Sequence, residues 1–411
     1  MSNHPTPNRP TLERPTPDWD PRDISILGDQ RRVYDEMRER CPVAYSHFLD
    51  WSLFRHEDIV KVLADPGTYS SASKRLAVPN GMDPPEHTLY SRVLAPYFLP
   101  ERMNALEGGC RRIAVDLLQA MLARGEPEVD FIPEFAQPFP IKTLCMFLGW
   151  PLETWENLRG WTHGNQEVAF SQNKEAGAAL AREFTGYVMD ALRVRREASE
   201  RTSNGAGTTD TKDSESTVDT RDVTSSIMST TVDGVALSDE EIVSTLRNWT
   251  AGQGTVAASI GILVYYLAGH ADIQQNLREE PALLPVAIDE ILRADGPLVA
   301  NRRTTTRGVE IEGRKIAAGE SISLNWISAN RDGRTFDDPD VVHLDRDSAD
   351  NLLFGAGIHY CLGAPLARLE MRVAMEELLA RTTTIELGAA DLPRRHIYPS
   401  NGFGELPVRL R

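Results

Sequence analysis

The stretch Phe354-Gly355-Ala356-Gly357-Ile358-His359-Tyr360-Cys361-Leu362-Gly363 runs straight into APLARLEMRVAMEELLA, residues 364–380. Apolar residues in the second part recur at helical spacing, which predicts an amphipathic helix from about Leu362 to Ala380. Cys361 therefore stands at a helix N-terminus, where unpaired backbone N–H groups and the positive end of the dipole favour a thiolate. Gly355, Gly357 and Gly363 let the backbone pass close to a flat ligand without side-chain clash. Phe354 places an apolar ring where it limits solvent access to the sulfur. A lone cysteine before a helix is ordinarily a buried structural residue; the ten residues around this one set it apart.

Those ten residues resemble the heme-binding loop of the bacterial cytochromes P-450, F-G-x-G-x-H-x-C-x-G, at every fixed position. The resemblance implies a mainly α fold with a small β portion, in which a long central helix lies over heme b. It makes Cys361 the thiolate ligand of the heme iron, with Phe354, Gly355 and Gly363 in the loop that holds the cofactor. A thiolate donates electron density to iron and favours O–O cleavage. Glu290-Ile291-Leu292-Arg293 fits the family's E-x-x-R pair, whose members share a helix face. Arg346, in FDDPDVVHLDR, matches the arginine that completes this structural, non-catalytic network. Arg303, with Arg302 as its alternative, aligns with the arginine that pairs with a heme propionate; His87, in MDPPEHTLYSR, and His359 match further propionate contacts. Arginine takes such carboxylates bidentately. One departure is Ser91, where the family often has an arginine four residues after the histidine. Arg92 is one step further on and points about 100° away on a helix.

Length alone suggests two or three domains for 411 residues, or one large helical enzyme. The reading is a Pro-rich disordered arm over residues 1–22 and a single domain over 23–411, interrupted by a flexible Thr/Ser/Asp-rich loop at 200–222. A net charge of −16 argues against nucleic acid as a partner, because phosphate binding needs an excess of Lys and Arg. Cys41, Cys110, Cys145 and Cys361 form no C-x-x-C pair, so a zinc site or redox dithiol is not indicated. No signal pattern opens the chain and no apolar run of about 18 residues suggests a membrane span. A cytoplasmic protein is expected.

Amphipathic stretches at 28–41, 57–65, 101–124 and 179–198 read as helices, while Pro42–Phe54 and Gly308–Ile322 have hairpin character, VEIEGRKI forming two strands about a Glu-Gly turn. Ser238 and Glu241 form a capping box. The apolar pattern behind them continues to about Ala268, far longer than the usual helix of about a dozen residues. Gly252 and Gly254 inside it suggest a local distortion or a close approach by a ligand.

Within that helix Ala251-Gly252-Gln253-Gly254-Thr255 resembles the family's A/G-G-x-D/E-T segment. The resemblance implies that Thr255 positions dioxygen and relays protons. The preceding acid is replaced by Gly254, which cannot carry a proton, and Gln253 would at most orient a water. Either monooxygenation persists with a displaced, water-based relay, or the site favours peroxide-driven oxidation or nitric oxide reduction; a non-catalytic gas- or ligand-binding heme protein is a further alternative. Arg247, Ala251 and Thr255, spaced i, i+4, i+8, lie near one helical face, so Arg247 and Asn248 reach the roof of a substrate pocket. Arg247 is then either a structural ion pair or snorkelling side chain, or the partner of a polar or carboxylate-bearing small organic substrate. Val299 and Asn301 are expected in the pocket wall, and Ser71–Met82 is short for the family's substrate-facing loop. With about 50 residues after Cys361 and no cysteine cluster, electrons are expected from a separate ferredoxin and ferredoxin reductase, docking on a basic surface that includes Arg111 and Arg112.

Overall fold

In the computed structural model the Ser238 hydroxyl accepts from the Glu241 N–H at 3.3 Å, and the Glu241 carboxylate accepts from the Ser238 N–H at 2.7 Å. This reciprocal cap satisfies two donors that a helix start leaves open. The structure describes residues 15–23, 26, 29–204, 222–389, 392–396 and 398–411. The first fourteen residues of the expected arm, and 205–221 of the expected internal loop, lie outside them.

The helices are, in chain order, α1 (Gln30–Arg40), α2 (His56–Ala64), α3 (Glu86–Leu94), α4 (Pro100–Leu122), α5 (Pro138–Leu148), α6 (Trp155–Ser171), α7 (Lys174–Asn204), α8 (Val223–Ile227), α9 (Asp239–Gly269), α10 (Ala271–Glu279), α11 (Leu284–Ala294), α12 (Trp326–Ala329) and α13 (Ala364–Arg381). The capped helix is α9, 31 residues long and continuous through both glycines, so the expected distortion is absent. It packs against α5, α6, α7, α11 and α13. By length and composition α9 could cross a membrane, which the sequence reading missed, yet more than half of its most apolar window is buried by these neighbours, as in the core helix of a globular domain.

The main sheet orders its strands Val43–Ser46, Asp50–Leu53, Ser321–Asn325, Ala300–Thr305 and Tyr69–Ser70; Asp50–Leu53 and Ser321–Asn325 are parallel and the other pairs antiparallel. Val309–Ile311 and Arg314–Ile316 form the expected small hairpin. Its turn residues Glu312 and Gly313 have φ of 48° and 73°, the mirror-image turn that suits the twist of paired strands. Trp51, Leu53, Ile59 and Ile322 bury one side of the main sheet against α2, and Tyr34, Met37 and Phe54 form a further cluster under α1. The larger helical core surrounds α9.

Two expectations about chain ends of segments need correction. The arm does not run free to residue 22: Asp18 exchanges hydrogen bonds with Tyr45 at 2.8 and 2.9 Å, and Trp19 packs edge-on against Phe54 at 5.3 Å. The internal loop does not begin at 200, because α7 continues to Asn204. Its far end is anchored by Asp222, which caps α8 and pairs with Arg195 at 3.0 Å.

Candidate active site

Cys361 stands three residues before α13. Its N–H donates to the Phe354 carbonyl at 3.0 Å and closes the loop. Gly355 and Gly357 turn that loop with φ of 71° and 68°. At Gly357 a Cβ would also sit 3.2 Å from the Leu63 carbonyl oxygen, so backbone and space both require glycine. Gly363 has an ordinary φ, but a Cβ there would cover the flank of the Cys361 sulfur at 3.9 Å. Phe354 carries the Arg368 guanidinium over its ring at 4.4 Å.

Cys361 is exposed, yet burial pushes its thiol above the ordinary value, against the opposing pull of the Gly363 and Ala364 N–H groups and Arg368. Both hold if the sulfur opens onto a deep cleft and is otherwise surrounded by protein. The N–H groups of the helix start favour the thiolate, as expected, and burial opposes them. A cation bound at the sulfur would ionise it, because coordination deprotonates a thiol outright.

The middle of α9 shows a matching opening. Asn248, Ala251 and Thr255 are half-buried and Gly252 is exposed, although most of the surrounding helix is buried. Their spacing of i, i+3, i+4, i+7 places them on one face. The hydroxyls of Thr245 and Thr250 bond back to the Glu241 and Leu246 carbonyls at 2.8 Å. Among the described residues the Thr255 hydroxyl makes no such bond. α9 also packs on α13, the helix that follows the Cys361 loop.

Gln253 does not share that face. Two residues from Thr255, it points about 200° away. It is buried, and its amide donates to the Pro140 carbonyl and to Glu370 at 3.2 Å each. The expected role of Gln253 beside Thr255 is thereby corrected. Gly254 faces α6: a Cβ there would lie 2.9 Å from the Thr162 methyl and 3.2 Å from the Gln166 amide. This glycine serves a helix contact, whereas Gly252 has nothing within 4 Å of its Cβ position. Gln253 and Gly254 border a cavity of about 320 Å³ shared with Gln137, His163 and Gln166. Glu370, on α13, was missed from the sequence. It is fully buried, has no ion-pair partner among the described residues, and burial holds its carboxyl far above the usual range. Its signal was available: an acid on the apolar face, between Leu366 and Val373.

Arg303, His87 and His359 come together from a strand, α3 and the Cys361 loop. The two imidazoles lie 4.1 Å apart, and His87 Nδ1 and His359 Nε2 are buried without a hydrogen-bond partner. Burial lowers the proton affinity of all three; His359 is pushed down to about 4, with His87 and Arg303 adding to the effect. Among the described residues the Arg303 side chain donates only to the Arg302 carbonyl, at 2.9 Å. The nearby acid, Asp83, is engaged by Ser70 and by the Ser71 N–H. Orphaned donors converging without a free carboxylate fit the acid groups of heme. Arg92 pairs loosely with Asp233 at 3.6 Å and does not replace the arginine missing at Ser91.

Glu290 accepts from Arg293 at 2.7 and 2.9 Å and from Arg346 at 2.9 Å, and Arg293 also donates to the Asn330 and Pro339 carbonyls. These three residues, expected as a structural network, are joined. Arg111 is not available to a partner as expected: Glu107, Glu376 and Glu377 hold it at 2.8, 2.6 and 2.5 Å and lace α4 to α13. Of the expected pocket residues, Val299 is buried in the cluster with Tyr34 and Phe54, so it does not face an open pocket. Asn301 is exposed and accepts from the Trp326 indole at 2.9 Å. Ser244, Arg247 and Asn248 of α9 hold the Leu76–Val78 loop: Arg247 donates to the Leu76 carbonyl and Asn248 to the Val78 carbonyl, both at 2.7 Å.

Residues 181–385 match the family model described as Cytochrome P-450. The chain is 32% identical over 390 residues to the erythromycin C-12 hydroxylase of Saccharopolyspora erythraea, covering 91% of this chain and 93% of that one. It is 31% identical over 398 residues to the vitamin D(3) 25-hydroxylase of Pseudonocardia autotrophica, covering 92% and 93%. A Bacillus megaterium enzyme solved with corticosterone superposes with a TM-score of 0.78 at 26% identity, covering 94% and 99%. With its cysteine loop, its E-x-x-R network and this full-length similarity, the chain belongs to the bacterial cytochrome P-450 family of heme-iron monooxygenases.

Proposed function

We propose that this enzyme holds heme b through Cys361. In this reading it inserts one atom of dioxygen into a small organic substrate with a polar group, as a single cytoplasmic domain, and takes electrons from a separate ferredoxin and its reductase. The observation that carries the reading is the cluster of His87, His359 and Arg303 beside the Cys361 loop, whose buried nitrogens bind no carboxylate among the described residues. When bound, the heme supplies the redox chemistry that activates dioxygen.

The chain's own part follows from its faces. Cys361 presents its sulfur from the start of α13, and Arg303, His87 and His359 take the propionates. Thr255 offers an unengaged hydroxyl on the open face of α9, where it orients the oxygen and holds a proton. Gly254 supplies no acid. The cavity beside it, lined by Gln137, His163 and Gln166, brings water against the helix. Glu370 is buried behind Gln253, and burial raises its affinity for a proton. A positioned proton donor contributes about 10²–10⁴-fold.

The test compares two reconstitutions of the heme-loaded protein: ferredoxin, reductase and isotopically labelled dioxygen, or hydrogen peroxide alone. One labelled oxygen atom in the product with the electron chain is the expected result. Product from peroxide alone, with none from the electron chain, would favour the peroxide-driven alternative.

A further inference from the structure

We propose that Arg247 and Arg75 form an anion subsite in the roof of the cleft, and that the substrate carries a carboxylate which this pair binds. The inference rests on the monooxygenase reading and names the substrate class of that same site. Arg247 lies on the same face of α9 as Ala251 and Thr255 and is half-buried. One of its nitrogens donates to the Leu76 carbonyl at 2.7 Å, which brings the guanidinium against the loop that also carries Arg75. Among the described residues no carboxylate comes within ion-pair distance of either arginine. Asp83 and Glu86, on the same stretch of chain, do not pair with them, and Asp83 is taken by Ser70 and Ser71.

Many arginines of the molecule are paired instead. Acidic residues outnumber basic ones by 60 to 44. Arg111, Arg293, Arg331, Arg346, Arg368 and Arg372 all have carboxylate partners. The structural ion pair considered for Arg247 from the sequence is not present among the described residues. Arg247 is half-buried and Arg75 is exposed beside it, so two like charges stand near one another where a bound anion would offset their repulsion. A guanidinium offers five donors in a planar fork matched to a carboxylate. With one nitrogen on Leu76, the remainder of the Arg247 fork can face the cleft. Thr255 is two turns along α9, about 12 Å of rise. The bound substrate then has its carboxylate at the loop end and its oxidised carbon within that span.

The experiment titrates ferric holoenzyme with matched pairs, aryl and alkyl carboxylates of graded length and their primary amides, and reads the heme spin-state shift. Tighter binding of at least one carboxylate than its amide, by about tenfold or more, is expected. Arg247→Gln, which keeps a donor for Leu76, should remove that preference and leave the amide's affinity within about twofold; Arg75→Gln should reduce it partly, and Arg247→Lys should retain part of it. A panel in which no carboxylate outbinds its amide overturns the proposal, as does an Arg247→Gln enzyme that keeps the full preference. The reduced carbon monoxide spectrum of the same samples separates the two readings. A thiolate-type band without anion preference removes only the subsite, whereas absence of the band removes the heme-thiolate assignment beneath it.

Discussion

The Cys361 loop and the middle of α9 supply the two sides of the site, and they are built by opposite rules. In the loop almost every function is local. Gly355 and Gly357 have left-handed φ, the Cys361 N–H returns to Phe354, and the sulfur meets N–H groups two and three residues on. The α9 segment is a regular helix whose backbone says nothing about role. Thr255 faces the open side, Gly254 meets α6 and Gln253 meets α13, all within three consecutive residues. A local loop carries its chemistry in its own spacing; a helix acquires chemistry from whatever packs on each face.

The most severe way to break the loop side is Cys361→Ala, which should abolish the thiolate-type reduced carbon monoxide band and all oxygen insertion. A variant keeping that band would overturn the ligand assignment. Next comes the support beneath the loop. Arg293→Ala leaves Glu290 buried without one of its partners and should cost about 3–5 kcal/mol, read as a fall in the denaturant midpoint and in heme retention. On the helix side, Thr255→Ala should lower product formed per unit of reductant by about 100-fold while heme retention stays unchanged; an unchanged product yield would mean that Thr255 does not handle the proton.

Gly254 sharpens the comparison further. If it serves the α6 contact, Gly254→Ala gains about 1 kcal/mol of helix propensity but overpacks against Thr162 by about 1–3 kcal/mol. Adding Thr162→Ala should then recover stability in a double-mutant cycle, whereas additive effects would show that the two helices do not compete for this space. The smallest effect concerns acid. Burial alone would raise the pKa of Glu290, but hydrogen bonds from Arg293, Arg346 and the His343 N–H hold it below the ordinary range. A depressed folded pKa gives stability that is fully present above about pH 4.3, the unfolded value, and is lost as pH falls through the folded one. Unfolding midpoints of the native enzyme should fall across that window, and those of Glu290→Gln should fall less.

How much could be read in advance follows the same division. The helix cap at Ser238, the Glu312–Gly313 hairpin, the cysteine loop and the E-x-x-R pair were legible because each is a short-range rule in backbone conformation or residue spacing. Gln253, Val299 and Arg111 were misplaced because their surroundings come from distant segments: Pro140 and Glu370, Tyr34 and Phe54, Glu376 and Glu377. Glu370 was visible as an acid on an apolar helix face, but its meaning depends on Gln253 lying opposite.

The sequence by itself thus determined the class of the protein and singled out the sulfur proposed to bind its metal, since a turn that needs left-handed residues and a helix start are encoded over ten positions. Tertiary structure decided which side of α9 each residue serves. It also decided that an α6 methyl sits at Gly254, and that Arg247 holds the Leu76 carbonyl with no ion pair among the described residues. The physical reason is that helix periodicity specifies directions relative to one axis only. What stands in each direction is settled when helices and loops far apart in the chain exclude water and one another.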